Sequence, residues 1–382
     1  MPEKLFHHPD RRQSDSVKWR FYGDEVLPLW VADMDFTSPP QVMDALHERV
    51  SHGVFGYAAD SQILAELVVE RMQKLYGWKI NLEDILLLPG VISGFNLVCQ
   101  AVTQPGESII IQPPIYPPFF EAAKNARVKE IQCGLVEQDD GAYLVDFSAF
   151  GNSIQADTKC FLFCNPHNPV GKVYSRKELL KLAEICLAHR IIICADEIHS
   201  DLVFTGHQHI PIASLNKDIG QQTVTLISPS KTFNIAGLDC SILICENRDL
   251  KKKIKETRRG LMGGVNVLGA TAAIAAYRFG QPWLDAIMKT LEENRDFLFK
   301  KIQETMPKIK MNPPQATYLA WLDCRQAGIQ SEPYEFFLKN AKVALSCGSI
   351  FGKEGEGFVR LNFGCSRPVL QEALERMRQS ME

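Results

Sequence analysis

Apolar residues in this chain gather in short unbroken runs, with amphipathic stretches between them. Ile85–Leu88, Ser108–Ile111, Cys160–Cys164, Ile191–Ala195, Val224–Ile227 and Ile242–Ile244 are apolar at nearly every position. Strands covered on both faces have this pattern, whereas half-exposed strands alternate. The stretches between carry helical stripes. One, opened by Pro39-Pro40, holds Val42, Ala45, Leu46 and Val50 and ends near His52-Gly53; its prolines sit where a first helical turn tolerates them. Continuous strands alternating with helices predict an α/β fold with a mainly parallel sheet sandwiched by helices. After Gly280 a helical stretch runs to about residue 305, and then Thr317–Leu322 and Gly357–Asn362 alternate as strands do, with a helix over 368–380. Leu27–Phe36 reads as a further strand-like piece ending in acids. We therefore expect a large domain over residues 47–280 and a smaller α/β domain from residues 1–46 and 281–382.

Composition narrows the class of function. With 46% hydrophobic and 23% charged residues the chain is of ordinary globular type. A net charge of -3 gives no electrostatic reason for a nucleic-acid partner. The basic pairs Arg11-Arg12 and Arg258-Arg259 read as solvated surface. Eleven cysteines occur with no Cys-x-x-Cys pair and no zinc-like cluster with histidine, so reduced buried thiols and no metal are expected. Met1–Asp10 lacks the apolar core of a signal peptide, and no stretch is apolar enough to span a bilayer. A cytoplasmic protein without a membrane partner is the expectation.

Polar motifs fall where the apolar runs end. Ser228-Pro229-Ser230-Lys231-Thr232 follows the run at 223–227. A lysine desolvated at such a turn can lose its proton near neutral pH and condense with an aldehyde, while the serines could donate to a phosphate. Pro89-Gly90-Val91-Ile92 leads from a strand into a helix, whose first N–H groups favour an anion. Asn165-Pro166-His167-Asn168-Pro169-Val170-Gly171 follows the run at 160–164, and Asp196-Glu197-Ile198-His199 the run at 191–195. In open α/β sheets ligands bind beyond the strand carboxyl ends. The loop Gly53–Tyr57 either presents an aromatic hydroxyl or buries Tyr57 in a core; its residues alone leave both open.

Taken together and in this order, with Arg360 downstream, the motifs resemble the fold-type I pyridoxal-phosphate (PLP) enzymes of the class I/II aminotransferase superfamily, over essentially the full length. Trp30–Phe36, His52–Tyr57 and Asp196–His199 look like the carbon–sulfur lyase branch, the MalY/PatB-type cystathionine β-lyases including cystalysin. Many aminotransferases have tyrosine at the position of His199. The eighth residue after the lysine, often a phosphate-gripping arginine, is here Asp239, so that contact must come from elsewhere.

The resemblance implies roles residue by residue. Lys231 matches the lysine that carries the cofactor and then takes the Cα proton. Asp196 matches the partner of the pyridinium nitrogen, Asn168 the donor to the 3′ oxygen, and Tyr116 the aromatic stacked on the ring. Phosphate would be held by Val91 and Ile92 backbone with Ser228 and Ser230. Tyr57 matches a tyrosine that reaches the neighbouring subunit's phosphate, which implies a homodimer. Arg360 matches the clamp on the substrate α-carboxylate. His199 touches cofactor or substrate, or merely packs. The implied activity is PLP-dependent β-elimination on a small amino-acid substrate, L-cystathionine or a related L-cysteine S-conjugate. A class I/II aminotransferase is the alternative, and a protein-binding regulatory role of the dimer a further one.

Overall fold

In the computed structural model, residues 7–59 and 61–382 are described. The first six residues of the expected small domain, and with them most of the stretch read against a signal peptide, lie outside these.

A seven-stranded sheet forms the centre, in the order Ile85–Leu88, Ser241–Ile244, Thr223–Ile227, Ile192–Asp196, Thr158–Cys164, Ser108–Ile111, Lys129–Gln132. Only Ser241–Ile244 runs antiparallel to its neighbours. The unbroken apolar runs follow from cover on both faces. In Thr158–Cys164, Cys160, Leu162 and Cys164 pack in one cluster with Phe95 and Val98 of the helix Val91–Val102. Phe161 and Phe163, pointing the other way, pack with Leu179, Leu182 and Cys186 of the helix Arg176–Ala188. That helix opens on a reciprocal Ser175/Glu178 capping box, which satisfies two otherwise orphaned N–H groups. The edge strand Lys129–Gln132 escaped the hydrophobic pattern because Lys129 and Gln132 are exposed.

A second sheet of four antiparallel strands, Lys310–Met311, Leu319–Asp323, Phe358–Asn362 and Ser346–Cys347, follows the long helix Gln281–Thr305. Leu27–Pro28 pairs in parallel with Val343–Ala344, and Leu29, Met34 and Phe36 share a core with Trp283, Leu319 and Leu361. The N-terminal segment thus packs with the C-terminal unit. The expected boundary between residues 46 and 47 falls inside the helix Pro40–Ser51; we propose that the large domain begins with that helix.

Three local expectations change. The stripe on Pro40–Ser51 fails at Val50, which is 52% exposed beside exposed Val54 and Phe55. Leu27–Phe36 is a strand only over Leu27–Pro28; beyond it Leu29 O still accepts from the Asn362 N–H, but from Trp30 to Met34 each carbonyl has a side-chain donor instead of a continuing ladder. Arg11 and Arg258 are not simply solvated. Arg11 donates to Asp33 and Asp35 at 2.7 and 2.8 Å, and Arg258 to the carbonyls of Leu87 and Gly263. Asp33, Asp35 and Leu87 lie far from these arginines along the chain, and Gly263 is a near neighbour of Arg258. No described helix is long and apolar enough to cross a membrane.

Candidate active site

A cavity of about 410 Å³ opens at the carboxyl ends of Ile85–Leu88, Thr158–Cys164, Ile192–Asp196 and Thr223–Ile227. These four strands run the same way, so the loops that follow them converge on one edge of the sheet. Lys231 stands in the one-turn helix Pro229–Thr232, which Ser228 caps by accepting from the Ser230 N–H at 3.0 Å, with proline at the first helical position. Ser-Pro is a natural helix start, and here it brings the lysine back over the strand end it has just left. The hydroxyl of Ser228 also lies 2.7 Å from the Cys240 carbonyl. A carbonyl only accepts, so the Ser228 proton is committed there, and the Ser230 hydroxyl, 2.7 Å from Ser228 Oγ, is the one that either donates within the pair or turns to an anion in the cavity.

Around Lys231 the cavity is lined by Asp196, Asn168, Tyr116 and His199. Its far wall is the first turn of the helix Val91–Val102 with Gly90, Val91 and Ile92, and Ser228 and Ser230 close it. Arg360, on the second sheet, is buried and reaches this group through Asn168: its Nη1 donates to Asn168 Oδ1 at 3.0 Å and its Nη2 to the Trp30 carbonyl at 2.9 Å. The Asn168 amide is oriented by that contact, with its Nδ2 left as a donor for the cavity. Arg360 Nε is buried without a partner. Tyr57 is fully exposed and lies outside the cavity of its own chain. The buried reading of Tyr57 does not hold in this chain.

Burial sets the charge states. Lys231 is lowered to about 8, chiefly by desolvation, with Arg360 adding to the effect and Asp33 and Asp196 opposing it. Asp196 is raised to about 7 by burial, against the Ile198 N–H that it accepts at 3.1 Å. His199 is held neutral, lowered to about 3 by burial and by the charges of Lys231 and Arg360. Its Nδ1 is buried without a partner. A desolvated amine and a carboxylate poised near neutrality in one cavity, with a buried guanidinium hydrogen-bonded to Asn168 of its wall, are the perturbed groups that mark a site of chemistry.

Five residues near the site carried no recognisable signal of their own: Ala32, Asp33, Asn234, Tyr318 and Asn362. They act through backbone carbonyls of segment 30–34 or on them, and such contacts leave no motif. In the sequence Trp30–Phe36 shows a strand-like apolar pattern and a family resemblance, neither of which points to these contacts.

The lining fits PLP. An anion has a helix N-terminus and the Ser230 hydroxyl in the lining. Asp196, buried and answered in the fold by one backbone N–H, suits a protonated ring nitrogen. Asn168 Nδ2 is a donor for an oxygen, Tyr116 offers an aromatic face, and Lys231 offers the amine. Asp239 lines the same cavity and adds no positive charge for a phosphate.

The sequence matches the family described as aminotransferase class I and II across residues 24–377. It is 41% identical to cystathionine beta-lyase PatB of Bacillus subtilis (strain 168) over 380 residues, covering 97% of this chain and 98% of that relative. The fold superposes on a PLP-bound candidate aminotransferase from Clostridium difficile 630 with a TM-score of 0.96 at 37% identity, covering 99% of both chains. With cystalysin from Treponema denticola, whose crystal structure contains pyridoxal 5′-phosphate, the TM-score is 0.94 at 33% identity and 98% coverage of both.

Proposed function

Because the chain belongs to the class I and II aminotransferase family, we propose that it is a PLP-dependent carbon–sulfur β-lyase acting on L-cystathionine and related L-cysteine S-conjugates. With water it would convert L-cystathionine to homocysteine, pyruvate and ammonia. The observation that carries this reading is full-length similarity at 41% identity to a cystathionine β-lyase, joined to a cavity that gathers Lys231, Asp196 and Asn168, with Arg360 held against Asn168.

Bound there, PLP supplies an electron sink for charge developing at the substrate α-carbon. Asp196 would hold its ring nitrogen, Asn168 its 3′ oxygen, and the turn Gly90–Ile92 with Ser230 its phosphate. Arg360 would take the substrate α-carboxylate, a planar two-pronged task suited to a guanidinium. Its present hydrogen-bond partners, Asn168, the Trp30 carbonyl and the Ser346 hydroxyl, are neutral, so a carboxylate competes well for it. Lys231 would accept the Cα proton, its low proton affinity making the neutral amine abundant near pH 8. A thiolate leaves Cβ readily, so removal of the Cα proton is the demanding event. The Cys99, Cys160 and Cys194 thiols and the other cysteines are free, and all but Cys347 are buried, which supports a cytoplasmic setting. Full exposure of Tyr57, beside exposed Val50, Val54 and Phe55, supports a homodimer in which Tyr57 serves the neighbouring site.

The test is turnover of L-cystathionine by PLP-loaded protein without any keto-acid acceptor. Pyruvate and a free thiol are expected in equal amounts. If turnover needs added 2-oxoglutarate and no thiol appears, the aminotransferase reading replaces this one.

A further inference from the structure

Segment 30–34 borders the cavity through Ala32, and each of its carbonyls is engaged. Trp30 O accepts from Arg360 Nη2 and Ser346 Oγ, both at 2.9 Å. Val31 O and Asp33 O accept from Asn362 Nδ2. Met34 O accepts from Asn234 Nδ2 at 2.9 Å. Between them, Ala32 O accepts two donors: Lys231 Nζ at 2.7 Å and the Tyr318 hydroxyl at 2.9 Å. Tyr318 is fully buried in the second sheet's core, edge-on to His199.

We propose that the Ala32 carbonyl, fixed by the Tyr318 hydroxyl, is the seat that orients the Lys231 amine as a base, which makes Tyr318 a positioning residue. The inference rests on the reading of Lys231 as the group that takes the Cα proton. A neutral amine has two N–H donors and one lone pair. If one N–H donates to Ala32 O, the lone pair is turned away from that oxygen, whose own lone pairs repel it. It is therefore presented to the cavity in a narrow range of directions. That holds only while the oxygen stays put, and segment 30–34 owes its position to Asn362, Asn234, Arg360 and Ser346 rather than to a strand ladder. Among the described residues, Tyr318 is the side-chain donor that joins the lysine on that oxygen. Burial raises its proton affinity, so it remains a donor throughout the working pH range. The charged and titratable groups facing Lys231 are Asp33 on the segment, Asp196 on its strand, Arg360 on the second sheet, and neutral His199.

Tyr318→Phe keeps the ring and removes only the hydroxyl. Ala32 O then has one donor instead of two and binds the Lys231 ammonium more strongly, so the lysine should become harder to deprotonate. In cofactor-free protein, competitive acetylation by acetic anhydride, read on the Lys231 peptide by mass, should show its titration moved upward by roughly half a unit. In loaded protein, exchange of the Cα proton of L-alanine with deuterated water should slow about tenfold, with little change in its binding. A folded Tyr318→Phe protein in which neither quantity moves would mean that Tyr318 only packs, and the proposal falls. Should that variant not fold, Asn234→Gly tests the same seat, since glycine tolerates the left-handed backbone at this position (φ 56°). Slack in the segment then draws Ala32 O away from the ammonium. The Lys231 titration moves down and the exchange again slows; no change in either overturns the seat. Labelling of cofactor-free protein requires no lyase activity. A shifted Lys231 with no pyruvate from cystathionine would sink the lyase reading alone.

Discussion

The proton on Lys231 decides what this amine can do, and burial decides the proton. A solvated lysine near 10.5 would be almost wholly charged at neutral pH, but desolvation brings this one to about 8. Arg360 lowers it further and Asp33 and Asp196 restrain the fall. Only the neutral amine can attack an aldehyde. The rate at which cofactor-free protein fixes PLP on Lys231, trapped with borohydride and read by peptide mass, should therefore climb with pH and level off above about 8. A climb continuing toward 10.5 would mean that the cavity does not exclude water from the lysine as the structure has it.

Elements, rather than single residues, put the groups in one place. Parallel strands end at one edge, and each following turn is short enough to keep its side chain there. The turn that carries Asn168 is locked at its far end by Gly171, whose carbonyl accepts from the Gln315 and Ala316 N–H groups at 2.9 and 3.1 Å. Gly171 has φ +69°, and a Cβ on it would lie 2.3 Å from Pro314 Cβ and 3.0 Å from its Cα. The chain requires glycine here on both counts. Gly171→Ala should cost about 2 kcal/mol or more of stability, measured as a lowered midpoint in denaturant. It should also weaken PLP retention, because the Asn168 turn and the second sheet would be forced apart.

At the scale of the molecule, a single chain leaves its candidate site without Tyr57. Among the described residues, no arginine lines the cavity and Lys231 is its one lysine, while Asp239 in the lining adds negative charge. A donor from outside the chain fits that shortage. If Tyr57 is that donor, Lys231→Ala and Tyr57→Ala proteins are defective in different subunits of each composite site. Mixing the two under conditions of subunit exchange should restore activity, because each heterodimer keeps one intact site, so up to about half of exchanged dimers contribute one site each. Exchange proven by mass, with no activity recovered, would exclude a shared site.

Much of this was legible in the sequence because its causes are local. Strands buried on both faces must be apolar at every position, so Ile85–Leu88 and Ser108–Ile111 were found to the residue. The lysine, aspartate and asparagine motifs stood out because each directly follows such a run, and parallel topology brings strand ends together. Lys129–Gln132 was missed because an edge strand needs no apolar pattern. Tertiary structure alone decided the rest. Whether Tyr57 is buried depends on what packs against its loop, and Val50 shows that a helical stripe does not say which stretch of it is covered. The apolar pattern of Leu27–Phe36 reads as a strand, and nothing in it warned that segment 30–34 would leave the ladder after Pro28. Its shape is imposed by Arg360, Asn362, Tyr318 and Lys231, hundreds of residues away along the chain, acting on carbonyls that every amino acid has in common.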